Sequence, residues 1–380
     1  RNTLLVMPKA HTDLAKKGPG RGRTPLTRTL MAWISLACMA ASTIASCGNP
    51  PPSRASSRSS GPPEGPAVVP GEEGDGRVYE GILSVMDAAA NASGWLLLDG
   101  RTARVHLLSG SGELIRSVGG PGRGPGELSR PGAITATKEG FAVVDVTGRR
   151  VEIFSSDGTF LRRSVLSPTG CGSALIQDLA SDDGESLLVL RRCVNPADGG
   201  WSAELQRVGP DGTTTELHSL ALSDPDRGTL NPLAIPVLAT REGDIYLGVT
   251  TDPCLRRIEN GEETPTPLCS SLEFAIPVPH DIRSALEDLK ERSDRISSVR
   301  LEIPDELPHY DQFFATRLGL VLRLVSGRED RTLCLLDERD GSCSWSAPGD
   351  EGSYVGDSTI LHVAEEADGT RIAVTPIPSG

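Results

Sequence analysis

The 380-residue chain is 37% apolar and 4% aromatic, and it carries 42 glycines. That length fits one large domain or two ordinary ones, and the glycines predict a turn-rich body. A net charge of −13, with no basic run after Arg28, argues against nucleic acid as a partner.

The charge is distributed unevenly. Residues 1–46 hold seven Lys/Arg and one acid, leaving the rest with 31 basic against 50 acidic residues, a balance of −19. From Met7 (Met31 is the other candidate start) the pattern is basic, then apolar, then small. Lys9, Lys16, Lys17, Arg21, Arg23 and Arg28 precede LMAWISLACMAASTIASC at 30–47. The apolar run is short for a spanning helix and fits a secretory signal. It ends in Ile44-Ala45-Ser46-Cys47, which resembles the bacterial lipobox. The resemblance implies lipidation of Cys47 on sulfur and, with Gly48 following, a cell-envelope address at the outer membrane or its periplasmic face. An ordinary cleaved signal with an incidental cysteine is the alternative. Residues 47–75 are rich in Pro, Ser and Gly; they have too little to bury to offset their ordering entropy and read as a disordered tether. The expected division is signal 1–46, tether 47–75 and folded body 76–380.

In the body, GWLLLDGRTARVHLLSGSGELIR at 94–116 aligns without gaps on GFAVVDVTGRRVEIFSSDGTFLR at 140–162. Gly94/Gly140, Asp99/Asp145, Arg104/Arg150, Val105/Val151 and Gly112/Gly158 match at a shift of 46. A period in the forties, filled with short strands, predicts propeller blades. Each unit reads as an apolar strand, a polar turn, an alternating strand, a hairpin turn and a further strand. The pattern decays through ESLLVL, GDIYLGV and LGLVLRLV to STILHVAEEADGTRIAVTPI at 358–377, six units in all. The last lacks an outer strand, and RVYEG near residue 77 is expected to supply it, closing the ring. With the repeat elements quoted, GGPGRGPGELSRPGAI at 119–134 resembles the G-x-G-P-G-E-L-x-x-P element of NHL-type repeats, and the exported part resembles bacterial six-bladed β-propeller lipoproteins. The resemblance implies an all-β, six-bladed β-propeller with four-stranded antiparallel blades. It makes 119–134 a connection between blades. A phosphate loop would need a Gly-Lys-Ser/Thr ending or G-x-G-x-x-G entering a helix, and the sequence has neither.

Six cysteines fall in the body. Cys171 and Cys193, Cys254 and Cys269, and Cys334 and Cys343 each lie symmetrically about a turn, so three cross-strand disulfides are expected. Zinc is the alternative, though there is no C-x-x-C and no histidine close in sequence to a pair. Residues 279–299 break the β pattern. Ile282, Leu286, Leu289 and Ile296 fall on one helical face, with Asp281 as the expected N-cap; the helix either covers one side of the propeller or serves a partner or lid role.

Candidates for chemistry are thin. His106, His218, His280, His309 and His362 are scattered, and G-x-S-x-G is missing. Asp99 with Arg104 and Asp145 with Arg150 tempt as acid–base pairs, but their repetition favours structural ion pairs. Asp182-Asp183 and Asp350-Glu351 lack enough spaced oxygens for calcium. The turns after the apolar strands offer Arg101, Arg149, Arg191, Arg192, Asp252 and Arg328, a set better suited to an anion than to a metal. Two function classes follow. One is a monomeric binding module for a protein, peptide or anionic ligand at the end face, with no cofactor. The alternative is a calcium-dependent hydrolase or lyase of the lactonase-like kind. Fold alone licenses neither, and the binding module is preferred.

Overall fold

Each apolar run of the repeats is buried on both sides. Leu96 and Leu98 pack against Val143 and Phe154, while Trp95 and Leu97 pack against Tyr354 and Leu361. Successive side chains of a strand point to opposite faces, so a strand stacked between two neighbours must be apolar at every position. The computed structural model describes residues 68–69 and 76–377, apart from 147–148, 167–172, 183, 195–199, 225–228, 260, 265–266, 271–275, 297–299, 327–329, 351 and 367–368.

The body is a six-bladed β-propeller. Blade 1 comprises Val85–Asn91, Gly94–Asp99, Arg104–Ser109 and Leu114–Gly119, antiparallel and listed from the inner strand outward. Blade 2 repeats it with Pro131–Ala136, Gly140–Asp145, Arg150–Ser155 and Phe160–Val165. Blade 3 (Ser173–Ser181 to Thr214–Ala221) and blade 5 (Tyr310–Thr316 to Cys343–Gly349) follow the same order. In blade 4 the outer place is shared by Glu262–Glu263 and Leu268–Cys269, both paired with Cys254–Glu259. Blade 6 takes Ser353–Val355, Thr359–Glu365 and Thr370–Pro376 from one end of the chain and Arg77–Tyr79 from the other. The expected closing strand is thus in place, and Val68–Val69 pairs with its far side. Apolar clusters fill all the interfaces between neighbouring blades, including that between blades 6 and 1.

Alternation of strand direction puts the second-to-third turns and the blade-to-blade connections at one end of the ring. The glycine-rich stretch 119–134 lies there, and amides in it are already taken by carboxylates of the chain, Gly124 by Glu127 and Ser129 by Asp145. Two of its carbonyls face cations: Arg150 Nη2 donates to Glu127 O at 3.0 Å, and Arg163 Nη2 to Gly124 O at 2.7 Å. Gly126 turns at φ +74°, where a Cβ would meet Phe160 and Phe154.

Helix α1 (His280–Ile296) lies in the connection between blades 4 and 5. Ile282, Leu286 and Leu289 pack against Trp201, Leu230, Leu301, Leu307 and Val325, so the helix covers part of that end over blades 3 to 5; the Ile296 side chain lies outside the described set. Asp281 is not the N-cap. It sits inside the first turn, and Pro279 O accepts the Arg283 amide at 2.8 Å, a position where its carboxylate still favours the helix dipole.

Two of the three expected disulfides are seen, Cys254–Cys269 and Cys334–Cys343. Cys193 is also disulfide-bonded, while Cys171 lies outside the described residues. Cys254 and Cys269 face each other directly. The symmetry rule does not hold for the other pair. A register shift at Leu335/Leu336 sets Cys334 opposite Ser346 and Cys343 opposite Leu336, and the bond runs diagonally over 5.4 Å between Cα atoms. Reduction is expected to lower stability by about 2–4 kcal/mol per bond. Chemical unfolding with and without reductant checks this, and coincident curves would contradict it.

Candidate functional site

The turn at the end of blade 1 is organised by Asp99. Its Oδ1 accepts the amides of Arg101 at 2.8 Å and Thr102 at 3.0 Å, and its Oδ2 accepts the Leu83 amide at 2.9 Å, with His106 Nε2 3.7 Å away. Burial pushes the Asp99 carboxyl up, but the neighbouring His106 ring and the hydrogen bonds from Leu83 and Thr102 outweigh it and hold it at about 2. In blade 2, Asp145 accepts the Ser129 amide and pairs with Arg150 at 2.9 Å. The repeated aspartate therefore ties the incoming connection to its own blade. The ion pair expected in both repeats is described only in the second; in the first, the amides of Leu83, Arg101 and Thr102 satisfy Asp99.

Arg101 and Arg149 stand exposed on these turns. Arg149 has φ +46° and its repeat equivalent Ala103 has φ +54°, so the left-handed residue belongs to the turn geometry. Arg191 and Arg192 depart from expectation. They belong to the strand Leu187–Val194 and are 4% and 7% exposed. The apolar run ends at Leu190, but the hydrogen-bonded strand continues: Arg191 faces Glu204 and Arg192 faces Ala203. Burial lowers the Arg191 pKa, Glu204 opposes this, and the charge of Arg149 adds to it. The structure thus brings Arg149 and Arg191 within electrostatic reach. Asp252 is committed locally, accepting the Cys254 amide at 3.0 Å and pairing with Arg256 at 2.9 Å. Arg328 lies outside the described residues.

Sequence reasoning missed the carboxylates of the inner strands. Asp87 and Asp178 each follow a register shift, at Val85/Asp87 and Ile176/Asp178. Each reaches the inner strand of the next blade: Asp87 Oδ2 accepts the Ile134 amide and Asp178 Oδ2 the Leu238 amide, both at 2.9 Å. The inner strand has no neighbour on its axial side, so these bonds satisfy amides a blade cannot satisfy itself. Both carboxylates keep some open surface while protein surrounds them. Burial, and for Asp87 also the charge of Asp178, raises Asp87 to about 7; burial raises Asp178 to about 6. In blade 5, Asp311 instead takes Arg323 and Arg331, each at 2.6 Å.

These shifts fix a pH dependence. A carboxylate whose pKa is higher folded than unfolded stabilises the fold when protonated, and that contribution is lost as pH rises through the folded value. Stability is expected to fall as pH rises from about 4, the unfolded value, and to level off above the folded values of about 6 and 7. Asp99 acts oppositely, its contribution being lost as pH falls from about 4 towards 2. Denaturant midpoints from pH 2 to 8 check both limbs; a flat response between pH 4 and 7 would contradict the first.

Among the described residues no group of three or more His, Cys, Asp or Glu is placed to hold a metal, and no helix is long and apolar enough to cross a membrane. No protein-family model and no curated protein matches the sequence. Solved structures do. A protein from Bacteroides fragilis NCTC 9343 described as exported shares 12% identity, covering 82% of this chain and 95% of its own, with a TM-score of 0.49. A protein from Bacteroides vulgatus ATCC 8482 shares 9% identity, over 83% and 98% of the two chains, at a TM-score of 0.49. The PQQ-bound aldose sugar dehydrogenase of Streptomyces coelicolor shares 11%, over 83% and 99%, at 0.41. At such identities the likeness concerns fold alone.

Proposed function

We propose that the chain is an exported propeller, lipid-anchored through Cys47, that binds an anionic group of a protein, peptide or small molecule at the end face carrying Arg101, Arg149, Arg191 and Arg192. The observation that carries this reading is cationic crowding on an acidic body. Arg149 is close enough to Arg191 to depress its pKa, while residues 47–380 hold 31 basic against 50 acidic residues. A local positive field of this kind raises the concentration of anions at the face. Leu83 and Met86, 40% and 48% exposed, sit beside the Asp99 turn and offer apolar contact to the same ligand. The test is binding of carboxylate- and phosphate-bearing ligands to wild type and to Arg101→Glu/Arg149→Glu. Charge reversal is expected to abolish binding, and undiminished binding would sink the reading. Incorporation of labelled palmitate, lost in Cys47→Ser, checks the anchor.

Asp87 and Asp178 favour a second reading, a hydrolase or lyase, since carboxyls raised to about 7 and 6 suit proton transfer near neutral pH. Turnover of a lactone and ester panel, with and without added calcium, tests it. This reading requires a pH-dependent rate that Asp87→Asn removes.

A further inference from the structure

Five arginines are buried among the described residues: Arg150, Arg191, Arg192, Arg323 and Arg331. Arg150 holds Asp145 and Glu152, and Arg323 and Arg331 share Asp311. Arg191 feels Glu204. Arg192 is the exception. No carboxylate and no hydrogen-bond acceptor meets its side chain among the described residues, and its Nε is buried without a partner. Its one neighbour of note is the ring of Trp201, 5.1 Å from Cζ. The indole Nε1 of Trp201 is likewise buried and without an acceptor, although the Trp201 backbone is fully engaged, its amide with Ser223 Oγ and its carbonyl with the Leu222 amide.

Among the described residues, two donor-only groups therefore lie side by side, Arg192 Nε and Trp201 Nε1 each without an acceptor. A buried guanidinium without a counter-charge is costly, and an orphaned indole N–H adds to that cost. Both sit at the connection end of blade 3, where the strand Leu187–Val194 finishes and Trp201 begins the next. The surrounding side chains are apolar: Val194, Leu222, Leu230 and Leu233, with α1 beyond.

We infer that Arg192 and Trp201 form a binding site for a carboxylate carried on an apolar body, either a peptide C-terminus or a free organic acid. The planar guanidinium suits a bidentate carboxylate, and the indole supplies a third donor. A single positive charge balances a monoanion, whereas a phosphate dianion would leave charge uncompensated among the apolar side chains. This inference rests on the end-face reading above and names the ligand class that the face takes.

The full-length protein is titrated calorimetrically with 4-phenylbutyrate, with a short peptide ending in a free leucine carboxylate, with the same peptide amidated, and with inorganic phosphate. Saturable binding of a free carboxylate is expected, with none for the amide. Saturation by the leucine peptide and not by 4-phenylbutyrate assigns the source as a peptide end, and the reverse assigns a free acid. Arg192→Met is expected to weaken binding by about tenfold or more, the worth of charge-assisted hydrogen bonds, while melting no lower than wild type, because it removes an uncompensated charge. Trp201→Phe keeps an aromatic face but loses the N–H and part of the buried indole, and is expected to weaken binding several-fold while lowering the melting temperature through the cavity it leaves. Three results would overturn the proposal: equal binding to wild type and Arg192→Met, Arg192-dependent binding of phosphate in preference to carboxylates, or an Arg192→Met protein that melts lower and binds nothing differently. If Arg101→Glu/Arg149→Glu abolishes binding while Arg192→Met does not, the end-face reading stands and this site falls. If neither matters, both fall.

Discussion

Tyr79→Ala is expected to cost about 3–5 kcal/mol, the range for truncating a fully buried aromatic side chain. Tyr79 is the last residue of the strand that completes blade 6, and its ring lies among Ile82, Leu108, Leu361 and Ile372. Its hydroxyl donates to Gly112 O at 2.7 Å and accepts the Leu114 amide at 3.2 Å. One side chain thus ties the closing strand to the outer hairpin of blade 1. Tyr79→Phe keeps the ring, leaves two backbone groups unpaired and should cost about 1–3 kcal/mol. Denaturant unfolding of the pair separates packing from hydrogen bonding. A cost under about 1 kcal/mol for the alanine variant would mean that the ring does not depend on this contact.

Arg150→Ala carries the other large effect. It strips the paired guanidinium from Asp145, leaves Glu152 with Arg163 alone at 2.6 Å, both carboxylates being fully buried, and releases the glycine-rich connection whose carbonyls Arg150 holds. Breaking a buried pair from one side costs about 3–5 kcal/mol. Arg104 is the matching residue of blade 1, where Asp99 is satisfied by backbone amides. Arg104→Ala should therefore stay within about 1 kcal/mol of wild type. Equal losses in the two variants would contradict the different roles assigned to the repeats.

The ring was legible because its constraints are periodic. Gly94 and Gly140 precede runs buried on both faces, Asp99 and Asp145 end them, and the terminal unit visibly wanted a strand that Arg77–Tyr79 provides. Residues that break periodicity were harder to see. Asp87 and Asp178 follow bulges, and the positions they serve in the next blades, Ile134 and Leu238, carry nothing polar to mark them. Arg191 and Arg192 looked like turn residues because hydropathy ends at Leu190, whereas backbone pairing runs on to Val194. A side chain's charge announces exposure unless something in three dimensions covers it, and Trp201 is not adjacent in sequence to do so.

The seam of blade 6 also dictates a timetable. Thr370 Oγ1 donates to Ile82 O across 288 positions of chain, so the polypeptide must be made through residue 370 before the seam can close. Until then the segment 77–79 lacks its partner in blade 6, and blade 1 has nothing behind it. Contacts of such long range slow assembly and leave early strands open to wrong pairing. A product cut short before Thr370 would lose more than one sheet: Arg77–Tyr79 would be left without its partner in blade 6.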